Sequence, residues 1–112
     1  MRYALLINER PGAYEGMSGA ERAAITAEYV ALRHDERVFA GERLLPADTA
    51  TTIRAGDGEL LLTDGPFADT KEIFGGFYLM TAADLDEVLE FAARMPAIRF
   101  GGSVEVRPVW EG

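Results

Sequence analysis

The densest group of residues that could carry chemistry follows an apolar run at 59–63. It reads Asp64-Gly65-Pro66-Phe67-Ala68-Asp69-Thr70-Lys71-Glu72. Asp64 is the candidate general acid or base, and Lys71 is a candidate electrostatic partner or anion binder. The remaining candidate ligand contacts of this segment are Gly65, Pro66, Phe67 and Glu72. Because loops on rigid scaffolds often carry functional side chains, we expect a small-molecule pocket beside it.

A structural interpretation of the same segment is also open. Asp-Gly-Pro is the chemistry of a tight turn, in which the Asp side chain bonds to backbone two residues further on. Under that interpretation Phe67 would only anchor the loop to the core. Spacing alone favours the turn over catalysis.

Three residues outside the segment are weaker candidates. Tyr29 and Arg107 could contact a ligand, although a core tyrosine and an exposed strand arginine explain them equally well. The single histidine, His34, has charged neighbours and is expected on the surface. The sequence shows no phosphate-binding glycine loop and no cluster of metal ligands, so we expect neither a cofactor nor a metal.

Composition restricts the class of protein. The chain has 112 residues, which fits one domain, with 11 basic and 19 acidic residues and a net charge of −8. This acidity argues against direct nucleic-acid binding and against anionic membrane surfaces. There is no cysteine, and neither a signal peptide nor a membrane-spanning stretch is visible, so we expect a cytoplasmic protein.

The pattern of elements predicts βαββ(loop)βαβ. Ser18 and Glu21 form a capping box, and we predict one long amphipathic helix from Gly19 to Ala40, with Gly41 past its end. The predicted strands are at 3–7, 49–54, 59–63, 74–81 and 103–110, with a short extended piece at 42–46 and a hairpin turn at 56–58. The paired glycines Gly75-Gly76 predict a bulge or a close backbone approach in the strand at 74–81. A second helix is predicted to start with a capping box at 81–84 and to end at Pro96.

These elements predict an α+β domain of ferredoxin-like architecture. Both helices should cover one face of an antiparallel, five-stranded sheet. The other face would remain open, and Phe77 and Tyr78 should lie on opposite faces of one strand. An open apolar face predicts a homodimer formed by sheet-face packing. Pro108 places the last strand at an edge of the sheet.

Three stretches together resemble a known family. They are the Asp-Gly-Pro-Phe segment, Gly75-Gly76-Phe77-Tyr78, and Ser103-Val104-Glu105-Val106-Arg107-Pro108. They resemble the DGPF branch of the YCII-related family over the whole chain, 1–112. The resemblance implies a dimeric α/β barrel of ferredoxin-like protomers, a pocket near the Asp-Gly-Pro-Phe loop, and an association with alternative sigma factors. Other members of the wider family resemble enzymes in which a His and an Asp are the proposed catalytic pair. Asp64 matches that acid, whereas His34 does not lie where the family's histidine is expected.

Three hypotheses for function follow from these observations. The first is a small-molecule-binding protein that uses Asp64 as an acid or base. The second is a non-catalytic ligand-binding or regulatory module associated with a sigma factor. The third is a structural dimeric domain whose loop only shapes the fold.

Overall fold

A computed structural model describes residues 1–65 and 72–112 of the chain. Its strands are β1 (Arg2–Glu9), β2 (Val38–Arg43), β3 (Thr51–Gly56), β4 (Glu59–Asp64), β5 (Ile73–Thr81) and β6 (Ser103–Pro108). Its helices are α1 (Gly19–Arg33), α2 (Leu85–Ala92) and the short α3 (Pro96–Arg99), with a 3-10 turn at Ala47–Thr49.

The main sheet has four antiparallel strands in the order β2-β5-β1-β6. Strands β1, β2, β5 and β6 with the helices between them give the ferredoxin-like arrangement, so the predicted α+β fold class is confirmed. Strand β6 lies at an edge of the sheet. At an edge the missing backbone N–H of Pro108 does not interrupt the hydrogen bonds between inner strands.

The core lies between one face of this sheet and the helices. Alternate residues of β1, namely Tyr3, Leu5 and Ile7, are buried and join one cluster with Val88 and Phe91 of α2. The intervening residues of β1 lie on the opposite face and are half-buried. Tyr78 is buried and Phe77 is half-buried on the other side, as the alternation along this strand predicts.

The prediction of one helix from Gly19 to Ala40 is wrong in its second half. The capping box of Ser18 and Glu21 is present, but α1 ends at Arg33. The Asp35 carboxylate accepts hydrogen bonds from the backbone N–H and the guanidinium of Arg37, a local alternative to helical backbone bonding. Val38 then pairs with Met80, so Gly41 lies inside β2 and does not end a helix.

The boundaries of the second helix also differ from prediction. Asp84 and not Thr81 is the N-cap of α2, and its carboxylate accepts from the backbone of Glu87. The helix ends at Ala92, before Pro96. Pro96 instead begins α3, because proline is tolerated in the first turn of a helix, where its missing N–H has no partner to lose.

The hairpin β3–β4 forms as predicted around Gly56-Asp57-Gly58, but it does not join the main sheet. It is a separate two-stranded sheet, so the predicted five-stranded layer is instead a four-stranded sheet and a hairpin. The short extended piece predicted at 42–46 is displaced as well, because strand β2 occupies Val38–Arg43. The hairpin leucines Leu60 and Leu62 are 71% and 70% exposed in the protomer.

No helix within the described ranges 1–65 and 72–112 combines the length and the apolar character that a bilayer crossing requires.

The turn after α1 makes acid stability depend on one carboxylate. The hydrogen bonds from Arg37 lower the pKa of Asp35 from 3.8 to about 2. A carboxyl group whose pKa is lower in the folded than in the unfolded protein stabilises the fold at pH values above its unfolded pKa. This stabilisation is lost as the pH falls towards the folded pKa. Asp35→Asn should therefore lower the free energy of unfolding by about 1 kcal/mol at pH 7. Urea unfolding from pH 7 down to pH 2 measures the difference in the free energy of unfolding between the variant and the unmodified protein. This difference should shrink below pH 3.8. A difference that does not change with pH would contradict the prediction.

Candidate functional site

A cavity of about 350 Å³ lies between α1 and the sheet edge formed by β2 and β5. We call it the α1 cavity. Its wall combines apolar, aromatic and charged side chains with the backbone of several glycines. Its lining includes Glu9, Tyr14, Arg22, Thr26, Tyr29, Arg33, His34, Gly41, Glu42, Arg43, Gly75, Gly76 and Tyr78.

Three tyrosines form the aromatic wall of the α1 cavity. The Tyr78 hydroxyl donates to the backbone oxygen of Tyr29 at 2.6 Å, which ties β5 to α1. The Tyr29 hydroxyl accepts from the backbone N–H of Ala97 at 2.9 Å, which ties α1 to α3. The Tyr14 hydroxyl donates to Glu9 Oε1 at 3.2 Å. Each ring is therefore held by its own polar end, and the wall is pre-formed.

Burial raises the pKa of all three phenols, which are protonated at neutral pH. Burial raises the pKa of Tyr78 to about 12. Burial, followed by the negative charge of Glu9, raises the pKa of Tyr14, and burial also raises the pKa of Tyr29. The tyrosines can orient a ligand by hydrogen bonding, but they are not poised to act as bases.

Two glycines keep the floor of the cavity close to the backbone. A Cβ at Gly41 would collide with the ring of Tyr78, and a Cβ at Gly76 would lie 2.7 Å from the backbone oxygen of Glu42. The close backbone approach that the sequence predicted for Gly75-Gly76 is thus confirmed, and the pairing of β1 with β5 shifts register between Ile7 and Asn8. Larger residues at these positions would fill or deform the floor.

Arginines from two elements supply positive charge around the cavity. Arg43 of β2 donates to Thr26 Oγ1 of α1 at 3.4 Å. Arg33, at the end of α1, has its side-chain stem against Gly41. Arg22 donates to the backbone oxygens of Tyr14 and Met17, so it fixes the loop before α1. The cavity therefore joins an aromatic wall to a cationic rim.

The loop candidates that the structure describes do not reach the α1 cavity. Asp64 ends β4, pairs with Thr51 and is exposed. Gly65 has φ of 101°, donates to Ala50 O at 2.7 Å and accepts from Thr52 Oγ1 at 2.8 Å. These bonds extend the β3–β4 pairing by one residue at the open end of the hairpin, and the positive φ is a conformation that glycine adopts without strain.

The other predicted site residues are dispersed. Glu72 Oε2 accepts from Ser103 Oγ at 2.6 Å. Arg107 is exposed on the edge strand β6, where its Nε lies 3.6 Å from Glu105 Oε2. Tyr29 is the predicted site residue that the structure places in the cavity wall. Pro66, Phe67 and Lys71 lie outside the described residues.

Sequence reasoning missed several cavity residues. Glu9, Tyr14, Arg33 and Arg43 come from four segments that the fold brings together, and no short motif contains them. His34 is exposed, as predicted, yet it also borders the cavity. The paired glycines Gly75-Gly76 were the one available signal, because they predicted a close backbone approach at this place.

Metal-ligand chemistry has no support in the part of the chain that the structure describes. No group of three or more His, Asp or Glu side chains within it could hold an ion. A binding site here would use the tyrosine hydroxyls, the guanidinium groups and the apolar wall.

Comparison with known proteins places the chain in a family. A model of the YCII-related domain matches residues 1–112. An uncharacterised protein of Rhizobium meliloti (strain 1021) is 50% identical over 68 residues, which are 60% of this chain and 55% of that relative, so the match spans about half the relative's length. The structure of 5-chloro-2-hydroxyhydroquinone dehydrochlorinase (TftG) from Burkholderia phenoliruptrix AC1100, in complex with 2,5-dihydroxybenzoquinone, is similar in fold: the TM-score is 0.55 at 24% identity, covering 100% of this chain and 96% of that one. The chain belongs to the YCII-related family.

Proposed function

We propose that this protein binds a small organic molecule in the α1 cavity. The observation that carries the proposal is the pre-formed aromatic wall, in which Tyr14, Tyr29 and Tyr78 are each held by a hydrogen bond. Small-molecule sites are typically concave and mostly apolar, with a few fixed polar groups, in cavities of roughly 300–1,000 Å³. The α1 cavity, at about 350 Å³, is at the small end of that range.

The ligand should be a compact, planar ring. Tyrosine rings offer flat contact surfaces. The Tyr14 and Tyr78 hydroxyls donate their protons within the protein, but their oxygens can still accept a hydrogen bond from a ring hydroxyl. The fold neighbour TftG was solved with 2,5-dihydroxybenzoquinone, a ring of this size and polarity. This compound is therefore a suitable probe for the present protein, although the likeness between the two chains concerns the fold.

Catalysis by Asp64 stays a prediction. In the protomer Asp64 lies at an exposed strand end, and the lining of the α1 cavity among the described residues does not include it. Binding in the α1 cavity requires no chemistry from Asp64. The proposal is accordingly one of ligand binding, with turnover as a separate question.

Filling the cavity should abolish binding. Thr26 lies on the cavity side of α1 and is exposed to it, so Thr26→Trp places an indole in the space that the ligand would occupy. We expect 2,5-dihydroxybenzoquinone to bind the unmodified protein and to lose at least about tenfold in affinity with this variant. Calorimetric titration measures both dissociation constants.

The neighbouring position offers a matched control. Ala27 is also exposed on α1 but does not line the cavity, so Ala27→Trp should bind the probe as the unmodified protein does. Circular dichroism would verify that both variants keep their helix content. Equal binding by the two tryptophan variants, or no binding by the unmodified protein, would refute the proposal.

We also propose that the working unit is a homodimer formed by sheet-face packing. The helices cover one face of the main sheet, and Leu6, Phe77 and Leu79 are only half-buried on the other. The register pairs Leu6 with Phe77, so these side chains form one apolar patch. Contiguous apolar patches commonly mark association sites, and a twofold axis would place the same patch on both sides.

A further inference from the structure

We infer that the ligand of the α1 cavity is an anion, specifically a small ring that carries a carboxylate, and that Arg33 and Arg43 bind its charge. This inference rests on the proposed function, because it names the class of ligand for the same cavity. It assigns two arginines that neither the sequence motif nor the fold identifies.

Arg43 points towards the cavity and not away from it. Arg43 of β2 pairs with Gly76 of β5. A Cβ added to Gly76 would lie against the backbone of Glu42 and Arg43. The Arg43 guanidinium reaches α1, where the bond to Thr26 Oγ1 is long, at 3.4 Å. A hydroxyl is a neutral and weak partner for a guanidinium, which binds carboxylates far better. Within residues 1–65 and 72–112 this bond to Thr26 is the hydrogen bond that Arg43 makes, so toward these residues most of its donors are available at the cavity mouth.

Arg33 approaches the same space from the other side. Its Cδ lies 3.1 Å from the position that a Cβ of Gly41 would take, so the absence of a side chain at Gly41 lets this stem lie across β2. The positive charge of Arg33 acts to lower the pKa of the Tyr78 hydroxyl, against the larger effect of burial. Two guanidinium groups from α1 and β2 therefore border one cavity.

Neither arginine has an acidic partner within residues 1–65 and 72–112. The ion pairs recorded there involve Arg2, Arg37, Arg94, Arg99 and Arg107. Arg10 and Arg22 also make no ion pair within these residues, but both donate to backbone oxygens there, whereas neither Arg33 nor Arg43 does. Two such arginines beside one cavity indicate a site whose counter-charge comes with the ligand.

The acids that border the cavity do not neutralise this pair. Glu42 alternates with Gly41 and Arg43 along β2 and pairs with Phe77, so its side chain points to the opposite face of the sheet. Its backbone oxygen is the atom that faces Gly76. Glu9 Oε1 accepts a hydrogen bond from the Tyr14 hydroxyl, and among the described residues Glu9 makes no ion pair with either arginine.

The class of ligand follows from these groups together. A guanidinium binds a carboxylate through two parallel N–H donors, and the tyrosine wall accommodates a flat ring. Arg22 is already committed to the backbone oxygens of Tyr14 and Met17, so it supports the loop and is not a ligand contact. An aromatic monocarboxylate satisfies both the wall and the rim.

Benzoate and benzamide are the matched probes, since they have the same ring and nearly the same shape but differ in charge. In two-dimensional NMR titrations of the full chain we expect benzoate to bind at least about tenfold more tightly than benzamide. Arg33→Gln and Arg43→Gln should each weaken benzoate by about tenfold and change benzamide by less than about twofold. Arg2→Gln removes the same charge from a surface ion pair with Glu111, outside the cavity, and should leave both affinities unchanged.

The outcomes separate this inference from the proposed function. Equal affinities for benzoate and benzamide, both abolished by Thr26→Trp, would overturn the anion inference and leave the cavity as a binding site. A benzoate preference that survives in both arginine variants would overturn the assignment to Arg33 and Arg43. Binding of neither probe would overturn the inference for aromatic carboxylates, and the quinone titration would then decide the proposed function independently.

Discussion

Leu6→Glu is expected to convert a dimer of this protein into monomers. Leu6 lies in the centre of β1, on the sheet face that the helices leave open, and pairs with Phe77 and Glu105 on its neighbours. In a twofold dimer the new carboxylate would face its own copy in an apolar interface, where an unpaired charge is strongly destabilising. Sedimentation equilibrium at micromolar concentration should give twice the 12.2 kDa protomer mass for the unmodified chain and a single protomer mass for the variant.

The control variant carries the same charge on the other side of the molecule. Leu85 of α2 is 48% exposed on the helix layer, so Leu85→Glu should remain dimeric. Circular dichroism separates dissociation from unfolding, because a folded monomer keeps its helix and strand signal. An unmodified chain that sediments as a monomer, or a Leu6→Glu protein that stays dimeric, would contradict sheet-face packing.

Phe91→Ala should cost more stability than a substitution at the surface of the same helix. Phe91 is 1% exposed, and the guanidinium groups of Arg37 and Arg94 lie 5.4 and 5.0 Å from its ring centroid. Truncating a buried phenylalanine removes its transfer energy and leaves a cavity, at about 3–5 kcal/mol. Because small domains are stable by only about 5–15 kcal/mol, the variant would lie near its folding limit.

Urea unfolding measures this loss directly. Leu89 is on the same helix but 47% exposed, so Leu89→Ala should lower the free energy of unfolding by no more than about 1 kcal/mol. The difference between the two variants isolates burial from helix propensity, because both gain alanine. Similar losses at Phe91 and Leu89 would mean that the core does not lie where the structure places it.

The sequence predicted the architecture because local patterns determine most of it. The capping box at Ser18, the strand at 3–7 and the turn at 56–58 each depend on residues close in the chain, and each is confirmed. Element boundaries were harder to predict. The end of α1 depends on the bonds between Asp35 and Arg37, which compete with helical backbone bonding and which an apolar period does not reveal.

The site was less accessible to sequence reasoning than the fold. The Asp-Gly-Pro-Phe segment is prominent in the sequence because its unusual residues are contiguous, yet Asp64 lies at an exposed strand end. The α1 cavity draws Tyr14, Tyr29, Arg33 and Arg43 from a loop, a helix and a strand, which only the packing of α1 on the sheet brings together. Tyr29 was predicted as a ligand contact from its place on the helix, whereas the arginine pair needed the strand pairing.

A crystal structure of the protein soaked with the quinone probe is the most direct test of ligand binding in the α1 cavity. The expected result is a ring between α1 and the edge formed by β2 and β5, in contact with the tyrosine wall and within hydrogen-bonding distance of Arg33 or Arg43. A ring bound elsewhere, for example beside Asp64, with the α1 cavity empty, would contradict it.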